Sequence, residues 1–412
     1  MKKNRLLAIP GAFVPANDTV TLISYKHLRQ APYDIDVLAL SAPIDDTLQK
    51  ELSKDECFDK FNIEYTYEYS RTVASFEKKN VLEGLFNLFR YVHSAIKKAR
   101  ENDYEVIYTS SIPSFTHLAG YRIKKKLGNK VKWIASFSDP LYKSPYKYDP
   151  DSYKEYSLLA KIGFHVYIAI YMNGFYEKIA MKYADEILYI SEEQRDFMIG
   201  NQPLKRQPLL LEKSTVVPLN YIPEWQMYRS MIEEQKNTEK KPPYTIVHLG
   251  RVYGHRRIEK LLQSLKELKE DYPNLSEHIL FEQYGELLPR YVKLIQEYNI
   301  GDVFRYFEKI PYGEANQKMV DCDVLALFDT ILTVENQPYL PSKILEYILM
   351  RKEIFAISEK NSPANRLLTQ LGYTCCDYDV ADIKRTLSTL IKEGPNKYYY
   401  DLDAFKNKRY ID

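Results

Sequence analysis

The fold of this 412-residue chain is indicated most clearly by residues 244–257, which read YTIVHLGRVYGHRR. The first six residues form a mostly apolar run of the kind found in buried parallel strands, and Gly250 ends that run. A loop with cationic side chains follows, and a helical pattern begins at Ile258. Helix N-terminal amides and guanidinium groups both attract phosphate, so this order of elements predicts an anion site. A solvated basic turn is the alternative interpretation.

Short apolar runs alternate with helical patterns on both sides of this stretch. The runs in the first half are residues 6–9, 37–40, 106–109, 131–137 and 186–190. Those in the second half are residues 244–249, 279–281, 303–307, 324–328 and 354–357. Strands that alternate with helices predict parallel sheets covered on both faces. We therefore expect an α/β protein with two doubly wound domains, whose ligands lie beyond the carboxyl ends of the strands.

The two series of strands also predict where the domains begin and end. A chain of 412 residues is too long for one ordinary core. We expect an N-terminal domain, a linker that includes a polar Lys/Pro stretch, a C-terminal domain, and a final segment that crosses back to the first domain. The predicted ranges are 1–222, 223–243, 244–394 and 395–412.

Composition excludes several classes of protein. With 45% hydrophobic and 28% charged residues, the chain has a globular composition, and a net charge of +2 gives no argument for a nucleic-acid partner. Cys57, Cys322, Cys375 and Cys376 have neither metal-site spacing nor the pattern of a disulfide framework, which favours reduced thiols in a cytoplasmic protein. We expect no signal peptide and no run of ~20 apolar residues that could span a bilayer.

A second informative segment, residues 339–348, reads YLPSKILEYI. Pro341 and Ser342 predict the start of a helix. Glu346 falls about one turn into that helix, where a carboxylate can accept hydrogen bonds from the two hydroxyls of a ribose. Lys343 lies one turn away from Glu346, so a plain surface ion pair is the alternative.

Together the two segments resemble the donor half of retaining glycosyltransferases with the GT-B fold, in particular glycosyltransferase family 4. The match lies in the order of the pieces along the chain. They are the Gly250-Arg251 loop, the turn Tyr284-Gly285-Glu286, Tyr312-Gly313-Glu314 before a helix, the strand at 323–328, and Leu340-Pro341-Ser342-Lys343-x-x-Glu346-Tyr347. Pieces of the N-terminal half, at residues 111–121, 133–141 and 184–191, resemble the acceptor domain of that family more loosely.

The resemblance implies two Rossmann-like domains that face a central cleft, and it assigns roles to individual residues. Arg251 and Arg257 would hold the diphosphate and support catalysis, and Glu346 would hold the ribose. Asp139 would orient an acceptor hydroxyl; the alternative, which the residues themselves favour, is an Asp-Pro turn that caps a strand end. The implied donor-binding residues are Gly11, Gly250, Arg251, Arg257, Tyr284, Leu340, Ser342, Lys343 and Glu346.

The implied reaction retains the anomeric configuration, and the leaving phosphate itself takes the acceptor proton. The protein then supplies positioning and charge stabilisation, with no cofactor and no metal required. The implied partners are a nucleotide-sugar donor and a glycan or polyprenyl-linked acceptor in bacterial surface polysaccharide assembly. Peripheral contact with the inner face of the cell membrane would involve the stretch 153–185 or the basic cluster 122–126. Buried interdomain packing and a solvated helix end are the respective alternatives.

One position departs from the family pattern. Many members carry a further glutamate eight positions before the ribose-binding one, and here that position is Pro338; Glu335 is three residues out of register. The departure indicates either sugar contacts through loop backbone or a partner subunit without activity. A non-catalytic GT-B-like scaffold is therefore the main alternative function. A sugar-nucleotide epimerase on the same architecture is a third, for which we find no convincing set of acid–base carboxylates.

Overall fold

The computed structural model describes residues 4–68, 81–111, 114–145, 158, 162, 174–217, 221–222, 225–227, 241–252, 254–332, 337–398 and 411. The chain divides into two compact units, one formed by Met1–Asn220 with Asn407–Asp412 and the other by Tyr221–Lys406. Glu335 lies outside the described residues, and so does most of the predicted linker, of the predicted C-terminal segment and of the stretch 153–173.

The first unit is built on a seven-stranded sheet whose order is β3-β2-β1-β4-β5-β6-β7. Every neighbouring pair is parallel. The chain runs outward from β1 to β3 and then returns to β4 on the other side of β1, which is the doubly wound pattern. The strands are β1 (Arg5–Gly11), β2 (Asp34–Ser41), β3 (Phe61–Glu68), β4 (Val106–Ser110), β5 (Lys132–Phe137), β6 (Glu186–Tyr189) and β7 (Ser214–Val216).

Helices connect these strands, and apolar side chains fill the space between the layers. Trp133 on β5 is fully buried and donates from Nε1 to Thr109 Oγ1 at 2.9 Å. A Cβ at Gly120 would lie 2.4 Å from the Trp133 ring, so glycine is what lets its helix pack closely on β5. The helices are α1 (Thr19–Leu28), α2 (Asp46–Leu52), α3 (Val81–Glu101), α4 (Thr116–Leu127), α5 (Phe175–Tyr183), α6 (Glu192–Gly200) and α7 (Gln207–Glu212).

The second unit has a six-stranded sheet of order β10-β9-β8-β11-β12-β13, again with parallel neighbours throughout. The chain leaves β8 towards β10 and returns to β11 on the opposite side of β8. The strands are β8 (Tyr244–Leu249), β9 (Ile279–Tyr284), β10 (Phe304–Phe307), β11 (Val324–Phe328), β12 (Glu353–Ile357) and β13 (Cys375–Cys376).

The helices of the second unit cover both faces of this sheet. The first of them buries Leu261, Leu262, Leu265 and Leu268, which recur at the spacing of one helical face. It begins at Glu259, one residue after the predicted start. The helices are α8 (Glu259–Asp271), α9 (Pro289–Glu297), α10 (Tyr312–Asp321), α11 (Ile344–Leu349), α12 (Pro363–Gln370) and α13 (Val380–Glu393).

The prediction of two α/β units with parallel, doubly wound sheets is confirmed. All ten predicted strands are present, although several differ by one to three residues at their ends. Three short or edge strands, β3, β7 and β13, are additional. Among the helices of the described part of the chain, none is both long and apolar enough to cross a bilayer.

Candidate functional site at the switch point of the second sheet

The second sheet has its topological switch point between β8 and β11, which pair directly. Connections leave these two strands in opposite directions, so a crevice opens beyond their carboxyl ends, and ligands of such sheets bind there. Gly250 follows β8 and Asp329 follows β11. The loop that follows β8 and begins at Gly250 (the glycine loop) was predicted from the sequence to bind an anion. It therefore lies at the place where the topology predicts a ligand.

Two loops run side by side at this edge. Gly250 N donates to Tyr284 O at 2.9 Å, and Val252 N donates to Glu286 O at 2.9 Å. Gly285 has a positive φ of 126°, and a Cβ on it would lie 2.5 Å from Gly250 O. Only glycine permits this approach, so the loop after β9 supports the loop after β8.

Arg251, the first predicted diphosphate residue, is held by this second loop. Its Nε and Nη2 lie 2.7 and 2.6 Å from Glu286 Oε2. The two side chains remain 60% and 55% exposed. An ion pair this exposed contributes little stability, because water screens it and two long side chains lose freedom. The guanidinium therefore stands at the switch-point edge with a partner that an incoming anion can displace.

Arg256 is a further arginine of this loop, and its charge acts on groups at both switch-point strands. Its Nη1 donates to Arg251 O at 3.5 Å, and Ile331 N donates to the neighbouring His255 O at 2.9 Å. The Arg256 charge adds to the lowering of the pKa of His248 on β8, and it opposes the burial that raises the pKa of Asp329 after β11. Arg251 and Arg257 were predicted from the sequence, and Arg256 was not.

Arg257, the other predicted diphosphate residue, comes two residues before α8. The N-cap of α8, Ile258, offers no side-chain hydrogen bond to the first turn. Such a helix start leaves backbone amides for other acceptors. Glu259 in that turn accepts hydrogen bonds from the hydroxyls of Tyr291 and Tyr378, at 3.3 and 2.7 Å. The placement of Arg257 beside the helix start agrees with the prediction, and its role in anion binding stays a prediction.

Helix α11 brings the second predicted segment to the end of β8. Leu249 N donates to Tyr347 Oη at 3.2 Å, which fixes the first turn of α11 against this strand. Burial lowers the pKa of Lys343, and the nearby Glu346 carboxylate partly offsets that effect. In the described part of the chain, Glu346 Oε2 is a buried oxygen without a hydrogen-bond partner. Because a buried carboxylate oxygen without a donor is costly, hydroxyl groups of a ligand would stabilise it.

Leu340 and Ser342 flank the buried Pro341 just before α11, and both are half-buried. Pro338, the position where the family pattern has a glutamate, is buried. The preceding Gln337 is 1% exposed, and its Nε2 donates to Thr330 O. Its Oε1 is buried and has no partner among the described residues. The segment before α11 therefore carries a polar side chain one position from the place where the glutamate was expected.

Tyr284 is the predicted donor residue whose side chain is committed elsewhere. Its hydroxyl donates to Glu282 Oε2 at 2.7 Å, and its ring stacks on Phe307 with centroids 4.8 Å apart. Lys318 Nζ lies 5.0 Å from the ring centroid on the side of α10. Tyr284 contacts the glycine loop through its backbone carbonyl, which accepts from Gly250 N.

Asp329 is a second group that the sequence analysis missed. It is 1% exposed, its Oδ1 accepts from Thr330 N at 2.7 Å, and its Oδ2 has no partner among the described residues. Burial raises the pKa of this carboxyl to about 7, while Ser362, the Thr330 amide and Arg256 act in the opposite direction. The carboxyl is therefore partly protonated near neutral pH.

Gly11 and Asp139, the predicted residues of the first unit, lie at the ends of β1 and β5, which are separated by β4 in the sheet. Gly11 is the last residue of β1, with a positive φ of 85°. Asp139 lies in the turn after β5. That turn is tethered by Glu177, whose Oε2 accepts from Leu141 N and Tyr142 N at 2.8 and 3.0 Å. Both residues stand at the carboxyl edge of the sheet, and their roles stay predictions.

None of the protein-family models matches the chain, and no curated protein matches it in sequence. Solved structures match it over almost its whole length. Sucrose-phosphate synthase from Thermosynechococcus elongatus has a TM-score of 0.59 at 11% identity, covering 95% of this chain and 90% of that one. The lipopolysaccharide outer core galactosyltransferase WaaB has a TM-score of 0.55 at 15% identity, covering 98% and 96%.

A putative UDP-N-acetylglucosamine 2-epimerase from Listeria monocytogenes also matches, with a TM-score of 0.53 at 9% identity over 95% and 89% of the two chains. Identities this low show the fold alone. The fold is GT-B, as the resemblance in the sequence predicted.

Proposed function

We propose that this chain is a retaining glycosyltransferase that moves a sugar from a nucleotide-diphosphate donor to a glycan or lipid-linked glycan acceptor. The observation that carries the proposal is the convergence of a glycine–arginine loop and the unsatisfied carboxylate oxygen of Glu346 at the end of β8. A nucleoside diphosphate offers a partner for both, because its anionic diphosphate can bind the glycine–arginine loop and its ribose has two hydroxyls that can donate to Glu346.

The diphosphate is assigned to the cationic side of this edge. Arg251 is exposed and paired with an equally exposed Glu286, and Arg257 precedes the uncapped start of α8. Arg256 and Lys343 add positive charge around His248, whose pKa both of them lower. Fixed cations and amides stabilise the negative charge that develops on the leaving diphosphate as the glycosidic bond breaks.

The ribose is assigned to Glu346. Its Oε2 is buried without a donor in the described part of the chain, and Leu249, at the end of β8, contacts the next residue, Tyr347. Two adjacent ribose hydroxyls can donate to one carboxylate, which replaces the hydration that burial removed. Leu340, Ser342 and Lys343 complete the same segment as proposed donor contacts.

The chemical step follows from the resemblance to glycosyltransferase family 4. The leaving phosphate takes the proton of the acceptor hydroxyl on the same face, so the anomeric configuration is retained without a metal or a cofactor. The protein supplies position and charge stabilisation. By the same resemblance, Asp139 is proposed to orient the acceptor hydroxyl and Gly11 to contact the donor.

The proposed acceptor lies at the cytoplasmic face of a bacterial membrane, where it would be used in surface polysaccharide assembly. A basic and apolar surface of the first unit supports this part of the proposal. Lys125, Lys182 and Arg206 all act electrostatically on the exposed Tyr183, so the three cations lie near one another. Leu204, which is 83% exposed, comes two residues before Arg206. Cations beside exposed apolar side chains bind anionic lipid surfaces.

Calorimetry with UDP, ADP and GDP, alone and as their glucose conjugates, tests the donor assignment. We expect saturable binding of one nucleotide series, and slow release of free glucose from the matching conjugate. If none of the six compounds binds, the chain is better explained as a non-catalytic GT-B-like scaffold. Pro338, which replaces a glutamate of the family pattern, is the observation that favours that second function.

A further inference from the structure

His248, on β8, has a defined tautomer that follows from its neighbours. Gln283 Nε2 donates to Gly250 O at 2.6 Å, which fixes the orientation of the Gln283 amide. The Gln283 Oε1 atom therefore faces His248 Nδ1, 2.5 Å away. A carbonyl oxygen can only accept, so Nδ1 carries the proton. In the neutral ring the lone pair then resides on Nε2.

The Nε2 edge of the ring faces the glycine loop. A Cβ built on Gly250 would lie 3.5 Å from His248 Cε1 and 3.8 Å from His248 Nε2. The other side of the imidazole stacks on Phe328, with ring centroids 4.5 Å apart and planes inclined by 23°. His248 is 6% exposed, and its one recorded hydrogen bond among the described residues uses Nδ1. A rigid hydrogen-bond acceptor on β8 therefore lies beside Gly250 and against Phe328 of β11.

The surroundings keep this acceptor neutral. Burial is the largest effect, and it lowers the pKa of His248 to about 3, with further lowering by Arg256 and Lys343. The hydrogen bond to Gln283 acts in the opposite direction. The ring is thus an uncharged acceptor at neutral pH, and the cations Arg256 and Lys343 lie near it. The anionic oxygens of a diphosphate have no proton to donate to it.

We propose that His248 Nε2 accepts a hydrogen bond from a sugar hydroxyl of the bound donor. The inference rests on the proposed function, since it requires a nucleotide diphosphate or its sugar conjugate at the switch point. The hydroxyl belongs either to the ribose or to the transferred sugar, and both offer the same O–H donor. In either case His248 selects for a hydroxylated ring next to the anionic group that Arg251 and Arg257 are proposed to bind.

Two substitutions separate the two nitrogens of the ring. His248→Asn keeps an amide near the Nδ1 position, where its N–H can still donate to Gln283, and removes the acceptor at Nε2. His248→Gln places an amide near the Nε2 position, where its oxygen can accept. We expect His248→Asn to weaken binding of the donor by about tenfold, which is typical for the loss of one hydrogen bond, and His248→Gln to lose less.

Calorimetry with UDP, ADP and GDP and their glucose conjugates distinguishes the sources of the hydroxyl. Equal losses for the diphosphate and its conjugate assign the hydroxyl to the ribose, and a loss confined to the conjugate assigns it to the transferred sugar. Unchanged affinity of His248→Asn for both overturns the inference while leaving the proposed function intact. If the wild-type protein binds none of the probes, the proposed function fails and this inference falls with it.

Nitrogen NMR of the wild-type protein provides a measurement that needs no variant to fold. The chain has seven histidines, so ¹⁵N-histidine labelling gives a short spectrum. Burial lowers the pKa of His27, His117 and His248 to about 3, so we expect three rings to stay neutral at pH 5. The unprotonated nitrogen of one Nδ1–H tautomer among them should shift when the bound probe saturates the protein. If none of the three neutral rings shifts on saturation, the assignment is contradicted.

Discussion

The guanidinium of Arg251 lies 2.6 Å from the carboxylate of Glu286, and this ion pair joins the loops that follow the neighbouring parallel strands β8 and β9. The pair is more than half exposed on both sides. The Glu286 carboxylate is therefore bound to the guanidinium that the proposed diphosphate would bind. Glu286 and the diphosphate would compete for Arg251, and this competition should affect the affinity for the nucleotide in a direction that can be measured.

Removing the Arg251 guanidinium should lower the affinity for the nucleotide, and removing the Glu286 charge should raise it. We expect Arg251→Ala to weaken binding of the nucleoside diphosphate by roughly 10- to 100-fold, the range for a lost hydrogen bond between charged groups. Glu286→Gln should strengthen it by a few-fold at low salt, since the competing charge is gone. Calorimetry at two ionic strengths measures both. If Glu286→Gln weakens binding, the carboxylate is part of the site rather than a competitor.

Glu346→Gln should weaken nucleotide binding without weakening the fold. The substitution keeps the shape but loses the charged acceptor proposed for the ribose, so we expect roughly 10- to 100-fold lower affinity. The effect should disappear when the probe is a 2′,3′-dideoxynucleotide. Glu393→Gln, an exposed change in the last turn of α13, is the control. Equal losses for ribose and dideoxyribose probes would show that Glu346 acts elsewhere.

The centre of each sheet could be predicted from the sequence because its strands are buried on both faces. Val324–Phe328 is entirely buried and is a continuous apolar run. The strands that the sequence analysis missed lie at or next to sheet edges. Phe61–Glu68 alternates apolar and polar residues, while Ser214–Val216 and Cys375–Cys376 are only three and two residues long. Their pairing depends on a neighbouring strand far away in the sequence.

The candidate site could be predicted only where its residues follow a glycine or open a helix. Arg251, Lys343 and Glu346 were identifiable in that way. His248 is hidden inside an apolar run, and its tautomer depends on Gln283, which lies on the adjacent strand. Arg256 could not be ranked above Arg257 by spacing, because the distinction comes from the folded loop, in which the Arg256 charge acts on Asp329. Tyr284 was selected for its place in a turn, but its side chain packs on Phe307.

Gly285→Ala should destabilise the second unit at the glycine loop. The new Cβ would lie 2.5 Å from Gly250 O, which is backbone and cannot rotate away, and φ is positive at 126°. We expect a loss of about 1–3 kcal/mol in the free energy of unfolding, measured with urea. Gly301→Ala is a matched control, since a Cβ at Gly301 would meet no atom of the described residues within 4 Å. Equal stability of the two variants would contradict the close approach of the two loops.

The basic surface of the first unit should bind anionic vesicles. We expect vesicles containing phosphatidylglycerol to bind the protein and vesicles of pure phosphatidylcholine to bind it much less. Each of Lys125→Ala, Lys182→Ala and Arg206→Ala should weaken binding by roughly fivefold, the effect of one basic residue near a charged bilayer. Lys293→Ala, in α9 of the second unit, serves as the control. A cosedimentation assay in which all four variants bind equally would exclude this surface.

Asp329 should make the free energy of unfolding fall as the pH rises. A salt-bridged carboxylate has the opposite effect. Burial raises the pKa of its carboxyl from the ordinary 3.8 to about 7. Above pH 4 the unfolded chain releases this proton, whereas the folded chain holds it until about pH 7. The unfolded state therefore gains relative stability as the pH rises, and the contribution of Asp329 that is fully present below pH 4 is lost through pH 7.

Comparison with Asp329→Asn isolates this effect, because all other titrating groups are the same in the two proteins. The amide resembles the protonated carboxyl and can still accept from Thr330 N. We expect nearly equal stability at pH 4 and an advantage for the variant that grows to as much as about 4 kcal/mol at pH 8. Urea unfolding at several pH values measures the difference. A difference that stays constant with pH would mean that Asp329 is ionised in the folded protein, and that the Arg256 guanidinium outweighs the cost of burial.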